Sequence, residues 1–121
     1  STAVGANNIA SGDFSSAIGG NNLASGFHSA ALGYHNKATT LGSAAVGYYN
    51  YAFGYASTAI GRQNFANGDR TSAIGRGNSA LGPRRSTYSR DGVRNRYVRF
   101  EWPPGNCSMV SFPASSILPR R

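Results

Sequence analysis

Few side chains in this sequence of 121 residues are able to move protons, attack as nucleophiles or bind metal ions. They are His28, His35, Asp13, Asp69, Asp91, Glu101 and Cys107. The two histidines lie one heptad apart with no pair of carboxylates beside them, and a single thiol excludes a disulfide framework, an all-cysteine zinc site and a CxxC redox pair. Catalysis needs several such groups in one place. The sequence therefore predicts no enzyme, no catalytic or metal site and no cofactor.

The composition also lacks the large aliphatic side chains that normally build a globular core. Leu, Ile and Val are scarce, while Ala, Gly, Ser and Asn are abundant, with Gly alone at 16 residues. Charged residues make up only 13%, and 12 basic residues against 4 acidic ones give a net charge of +8. No run approaches the ~20 apolar residues that cross a bilayer, and no signal peptide is visible. An ordinary globular enzyme is not expected.

A repeat organises the first two thirds of the chain. Glycine recurs every seven residues and is missing from this grid only at Thr40; the grid glycines are Gly5, Gly12, Gly19, Gly26, Gly33, Gly47, Gly54, Gly61, Gly68, Gly75 and Gly82. Alanine stands two residues before each grid position, and four residues before it Ser or Thr alternates with Asn. The true period is therefore fourteen, with the unit S-x-A-[VIL]-G-x-x-N-x-A-x-G-x-x repeated six times from Ser1 to about Arg84.

The repeat predicts a parallel β-solenoid and excludes a coiled coil. Eleven grid glycines would cost a helix on the order of 10 kcal/mol relative to alanine. In a strand, S-x-A-I-G directs Ser, Ala and Gly to one face, so stacked coils would form a narrow interior of Ala and Gly with an Asn column bonded from coil to coil. Each strand is expected to end at its glycine, where the chain turns. Six coils at about 4.8 Å each give a rod roughly 29 Å long.

The residue before each odd-numbered grid glycine is aliphatic. In the solenoid these residues form an outward column, which we call the aliphatic column: Val4, Ile18, Leu32, Val46, Ile60 and Ile74. A continuous exposed apolar stripe requires a partner, and identical chains around a symmetry axis would supply one. The column is therefore the predicted interface of an obligate homo-oligomer. In the alternative, the column is the core of a monomeric solenoid and the alanines face outward.

The alternating S-x-A-[VIL]-G and N-x-A-x-G units resemble the head repeats of the YadA-like trimeric autotransporter adhesins. The resemblance covers Ser1 to Gly82 and is clearest in ASGDFSSAIGGNNLASG (Ala10 to Gly26) and YASTAIGRQNFANGDRTSAIGRGNSALG (Tyr55 to Gly82). It implies an all-β, left-handed parallel β-roll in which three chains lie side by side as a homotrimer. It also implies a position on the bacterial cell surface, at the tip of a stalk and anchored to the outer membrane through segments absent from this sequence.

The resemblance implies adhesion to collagen, fibronectin, another extracellular matrix protein or a host-cell receptor. The family's collagen-binding motif N-S-V-A-I-G aligns with odd heptads such as Ser57 to Gly61, but no odd heptad is preceded by Asn. A structural role for these segments is therefore favoured over collagen-specific binding. The alternative function is a structural spacer, or a phage tail-fibre-type β-solenoid, without a ligand of its own.

Six aromatic residues between positions 34 and 55 are expected to come close together over two coils. Exposed tyrosines offer a large rigid contact area at low entropic cost, which makes Tyr34, Tyr48, Tyr49 and Tyr55 the candidate ligand-binding residues. Tyr51 and Phe53 share strand parity and are read as packing at a chain interface. The third coil carries Lys37 and has Thr40 in place of the grid glycine, so a local irregularity is expected there.

Residues 83–121 form a second region, a basic tail of unknown structure. It holds eight of the twelve basic residues, all five prolines and no periodicity. The alternation in Tyr97 to Trp102 predicts a strand that ends before the prolines at 103 and 104. The arginines and tyrosines here leave open a nucleic-acid or membrane patch, although a nucleic-acid partner is not the favoured reading. A poorly ordered tail or a change of reading frame also remains open.

Overall fold

The computed structural model describes residues 1–89, 97–99 and 109–110, and every regular element among them is a β-strand. Each coil of the chain contributes one five-residue strand and one two-residue strand. The long strands are β1 (Thr2–Ala6), β3 (Ser16–Gly20), β5 (Ala30–Tyr34), β7 (Ala44–Tyr48), β9 (Thr58–Arg62), β11 (Ser72–Arg76) and β13 (Arg85–Ser89). The short strands are β2 (Ile9–Ala10), β4 (Leu23–Ala24), β6 (Lys37–Ala38), β8 (Tyr51–Ala52), β10 (Phe65–Ala66) and β12 (Ser79–Ala80).

The strands stack into two parallel sheets that wind about six times around a common interior. Long strands β1 to β13 pair in the order of the odd numbers, and short strands β2 to β12 pair in the order of the even numbers. Pairing joins residues fourteen apart, as in Ala17 with Ala31 and Ala24 with Ala38. The parallel β-solenoid with a fourteen-residue repeat is therefore confirmed.

The interior is lined by alanine and by small polar side chains. Ten alanines, every seventh residue from Ala17 to Ala80, have no solvent exposure and form the core. Within the described residues, the largest side chains with less than 2% exposure are the asparagines of the Asn column, two threonines and four serines. The alternative in which the alanines face outward and the aliphatic column forms the core is wrong, because the alanines have no solvent exposure and no member of the column is buried.

The odd-numbered grid glycines lie inside the long strands and not at their ends, which corrects the sequence expectation. Gly47 is the fourth of the five residues of β7 and has a φ of 121°, a region that L side chains rarely adopt. A Cβ atom at Gly47 would collide with the carbonyl oxygen of Gly61 in the next coil. Glycine is therefore required by the close approach of successive coils rather than by the turn.

The third coil keeps the fourteen-residue register, so the expected irregularity is small. Strands β5 and β6 pair with β7 and β8 without a bulge. The N–H of Thr40 donates to the Ser43 hydroxyl at 3.2 Å, as the N–H of Gly54 does to the Ser57 hydroxyl at 3.0 Å. The departure is the added hydrogen bond from the Thr40 hydroxyl to the Gly54 carbonyl at 2.6 Å.

Stacking continues beyond Gly82. Strand β13 pairs with β11 in the parallel sense and places Thr87, which is fully buried, beside Ala73. Strands β14 (Tyr97–Arg99) and β15 (Met109–Val110) then add to the same sheet in the antiparallel sense. The predicted strand at 97–102 is present over Tyr97–Arg99, and its remainder lies outside the described residues. The division of the chain at residue 82 stays a prediction.

Candidate ligand-binding surface and chain contacts

Three of the four candidate tyrosines lie together where the long strands end. Tyr34 and Tyr48 are the last residues of β5 and β7 and are paired in register. Their rings stack with centroids 5.6 Å apart and planes inclined by 16°. Tyr49 begins the next turn with a φ of 57°, and its ring stacks on that of His35 at 4.6 Å. His35 thus belongs to the cluster, although the sequence analysis treated it only as a histidine without a metal partner.

Tyr55 lies on the opposite edge of the roll, in the turn between a short strand and the following long strand. The residue is 44% exposed, the Arg70 guanidinium lies 6.0 Å from the centroid of its ring, and Asp69 Oδ1 accepts a hydrogen bond from its backbone N–H at 3.3 Å. The expectation that all the aromatic residues come together is therefore wrong. Tyr48 and Tyr55 are seven residues apart, which is half of a fourteen-residue coil. They therefore lie on opposite edges of the roll.

Two arginines extend the stacked tyrosines along the roll, a feature that the sequence analysis missed. Arg62 pairs in register with Tyr48, and Arg76 pairs in register with Arg62. The guanidinium carbon of Arg62 lies 5.6 Å from the centroid of the Tyr48 ring. We call Tyr34, Tyr48, Arg62 and Arg76 the Tyr-Arg row. These four residues are spaced fourteen apart in the sequence, which was the signal that could have identified the row.

The surroundings of Tyr49 favour the protonated form of its phenol. Desolvation by its surroundings raises the pKa of Tyr49 above its ordinary value of 10.0, and coulombic repulsion between phenolates, from Tyr48, Tyr34 and Tyr51, raises it further. At physiological pH the Tyr49 hydroxyl is therefore neutral and able to donate a hydrogen bond.

A second aromatic cluster covers the outer side of the short-strand sheet. The rings of Tyr51 and Phe53 stack at 5.7 Å, and Phe65 lies edge-on to both at 6.2 and 5.5 Å. The Lys37 ammonium lies 5.5 Å from the Tyr51 ring centroid. Where this cluster meets the Tyr49 turn there is an open cleft of about 310 Å³, lined by Tyr49, Tyr51, Gln63, Asn64 and Phe65. The cleft combines aromatic walls with one exposed amide, that of Gln63.

The aliphatic column lies on the outer side of the long-strand sheet, where the sequence analysis put it. Its members pair in register from coil to coil, from Val4 with Ile18 to Ile60 with Ile74. None of them is buried in the single chain, and Val4 is 53% exposed while Ile18 and Ile60 are each 38% exposed. The column is therefore available for contact with another chain.

His28 lies with two phenylalanines on the same edge as Tyr55. Its ring stacks on Phe14 at 5.0 Å and meets Phe27 edge-on at 4.4 Å. Among residues 1–89 and the two short strands that follow, no three His, Cys, Asp or Glu side chains come together to hold a metal ion. The same part of the chain contains no helix with the length and apolarity to span a membrane.

Comparison with known proteins identifies the repeat. The profile of the YadA head domain repeat matches residues 1–22, 24–50 and 52–78. Neither the curated proteins nor the solved structures give a match. Because the matched segments cover more than half of the chain and coincide with stacked coils of fourteen residues, the protein belongs to the YadA head repeat family and is an adhesin-type head domain.

Proposed function

We propose that this chain is the head of a bacterial surface adhesin that attaches the cell, as a homotrimer, to an extracellular matrix protein or a host-cell receptor. The observation that carries the proposal is the aliphatic column on a family-typical roll. Within the described residues the hydrophobic core contains only alanine, whereas the larger aliphatic side chains of the column face outward. The larger apolar side chains of the roll therefore remain exposed in a single chain, where they are able to contact a second copy.

The proposed chain contact uses Val4, Ile18, Leu32, Val46, Ile60 and Ile74. Burial of apolar surface contributes about 25 cal/mol per Å², and a straight column that rises one coil at a time can be covered along its whole length by an identical parallel rod. Three such rods around one axis bury all three columns at once. This arrangement supplies the apolar core that a single roll lacks.

The proposed ligand contacts are the exposed tyrosines on the two edges. Tyr34, Tyr48 and Tyr49 offer one surface, and Tyr55 with Arg70 offers a separate one on the opposite edge. A trimer would repeat each surface three times, and repeated weak contacts add up on a fibrous partner with many equivalent sites. Collagen and fibronectin, as repetitive matrix proteins on which a bacterial surface settles, fit this geometry.

Two measurements test the proposal. Light scattering at micromolar concentration is expected to give three times the 12.7 kDa of one chain. The purified assembly is then expected to bind immobilised collagen, fibronectin or laminin, or cultured host cells, in a saturable manner. A stable monomer would contradict the trimer. A trimer without saturable binding to any of these surfaces would favour the structural spacer.

A further inference from the structure

We propose that the Tyr-Arg row is a binding surface for an acidic polysaccharide chain that lies along the roll axis. This proposal deepens the adhesin function, on which it rests, by naming a ligand class for one edge. Arg62 and Arg76 are neighbours on parallel strands at a spacing of about 4.8 Å, so their charges repel each other.

No carboxylate on the described part of the chain offsets these charges. Its two acidic residues, Asp13 and Asp69, follow short strands and lie on the opposite edge, where the Asp69 carboxylate accepts the backbone N–H of Tyr55. An anionic partner would relieve the repulsion, and the planar guanidinium group suits sulfate and carboxylate oxygens. Burial of an arginine without an anionic partner costs free energy. The row is therefore expected to stay solvent-exposed beside any chain contact that the neighbouring aliphatic column forms.

The tyrosines of the row present their edges and not their faces. One side of the Tyr48 ring is covered by the Tyr34 ring and the other by the Arg62 guanidinium. Tyr34 lies against Gly20, where an added Cβ would come within 3.1 Å of its Cδ2 atom. Yet each tyrosine remains 43% exposed, so the solvent meets mainly ring edges and hydroxyl groups. Ring edges carry the positive part of the aromatic quadrupole, and the hydroxyls donate hydrogen bonds.

This geometry favours a glycan over a nucleic acid. Single-stranded nucleic acids bind aromatic residues by stacking bases on open ring faces, which the stack does not offer. A straight line of hydroxyl and guanidinium donors over four successive coils matches the hydroxyl, sulfate and carboxylate oxygens of an extended sugar chain. The cleft beside Tyr49, with the Tyr51 and Phe65 rings and the Gln63 amide, would take the apolar side of one sugar ring.

The test compares two double variants of the full chain that lose the same charge at different places. The row variant is Arg62→Gln with Arg76→Gln, and the matched control is Arg84→Gln with Arg121→Gln, two arginines that belong to neither proposed ligand contact. Residues 83–121 hold eight of the twelve basic residues and are able to attract an anionic probe by themselves. The test therefore compares the affinities of the two variants and does not rely on binding by the parent. The probes are heparin, hyaluronan and single-stranded oligothymidylate, measured by titration at physiological ionic strength.

The row variant is expected to bind heparin or hyaluronan about tenfold more weakly than the parent, with a shallower salt dependence, while the control changes less than about twofold. Loss confined to heparin identifies sulfate as the recognised group, and loss of both identifies carboxylate as sufficient. Equal losses in the two variants, no binding by the parent, or an equal loss of oligothymidylate binding would overturn the proposal.

Two controls separate this proposal from the adhesin function. If the row variant has a lower oligomeric mass than the parent, the row is a chain contact and the proposal is wrong. If the parent binds matrix protein or cells but neither polysaccharide, only this proposal fails. If it binds no immobilised surface at all, the adhesin function fails as well.

Discussion

The side-chain oxygen of Asn36 accepts two hydrogen bonds from Asn50, one from the backbone N–H at 3.0 Å and one from Nδ2 at 3.1 Å. Nδ2 of Asn50 also donates to the Val46 carbonyl at 2.9 Å in its own coil and to the Gly61 carbonyl at 2.8 Å in the next. One buried amide therefore joins three successive coils. The same pattern connects each neighbouring pair of the Asn column from Asn8 to Asn78.

Replacing one amide of this column should destabilise the roll strongly. Asn50→Ala removes the acceptor of the Asn64 backbone N–H, which is left buried without a partner, and it deletes the Nδ2 donor to the Asn36 oxygen and to the Val46 and Gly61 carbonyls. We expect the free energy of unfolding in urea to fall by about 3 kcal/mol. The matched control is Asn67→Ala, because Asn67 is exposed; its expected change is below about 0.5 kcal/mol. Similar effects in both variants would contradict a structural role for the column.

Substitution by alanine should destabilise the roll strongly at Gly47 and only slightly at Gly42. Gly47→Ala places a Cβ against the Gly61 carbonyl oxygen at a φ of 121° and should cost about 3 kcal/mol or prevent folding. Gly42→Ala meets nothing closer than the Ala56 Cα at 3.8 Å, at a φ of 67°.

Residues such as Phe14, His28 and Arg70 adopt this conformation at equivalent turn positions, so Gly42→Ala should change stability by less than about 1 kcal/mol. Thermal unfolding followed by circular dichroism measures both variants. A tolerated Gly47→Ala would mean that successive coils are able to move apart.

A polar substitution in the aliphatic column should weaken the proposed trimer. Ile60→Asn places an amide in the chain contact, and we expect the concentration at which the trimer dissociates to rise at least about tenfold. Ile9→Asn is the control, since Ile9 is 56% exposed on the outer side of the short-strand sheet. Sedimentation across a dilution series measures both. If Ile9→Asn dissociates the trimer and Ile60→Asn does not, the chains meet through the other sheet.

The tyrosine cluster should make stability depend on alkaline pH. The folded chain holds the pKa of Tyr49 above 10.0, so the phenol is neutral in both the folded and the unfolded states well below that pH. Stability from this group is full below pH 10.0 and is lost as the pH rises through the folded-state pKa, because the unfolded chain releases its proton first.

Phenolate absorbance, with Tyr49→Phe to assign the signal, measures this titration. Tyr48→Phe removes one repelling phenolate, so it should move the pKa of Tyr49 back toward 10.0. An unchanged titration in the Tyr48→Phe variant would mean that desolvation alone sets the pKa of Tyr49.

The fold was readable from the sequence because every interior position repeats. The repeated Ala, Ser and Asn positions identify the buried side chains. A parallel solenoid is the fold that places identical residues of successive coils next to each other. The end of the stacking was not readable. Strand β13 pairs through backbone groups, which do not require the repeat residues, and Thr87 takes an alanine position at the end of the core.

The candidate surface was readable only in part, because sequence distance does not state on which edge a turn lies. Tyr48 and Tyr55 are close in sequence and lie on opposite edges, whereas Tyr34 and Arg76 are far apart and share one row. Consecutive heptads lie on opposite edges of the roll, so neighbours on one edge are fourteen residues apart in the sequence and not seven. With that assignment the row follows from the residues at positions 34, 48, 62 and 76.

Main-chain hydrogen bonds connect the turns of successive coils. The N–H of Tyr49 donates to the Tyr34 carbonyl at 2.9 Å, and the N–H of Gln63 donates to the Tyr48 carbonyl at 2.9 Å. His, Tyr, Gln, Phe and Arg all occupy the left-handed positions at these turns, so the side chain there is free to change without altering the backbone. Duplicating or deleting a unit of fourteen residues would likewise keep every column in register. The side chains at the turns and the number of coils can therefore change independently of each other.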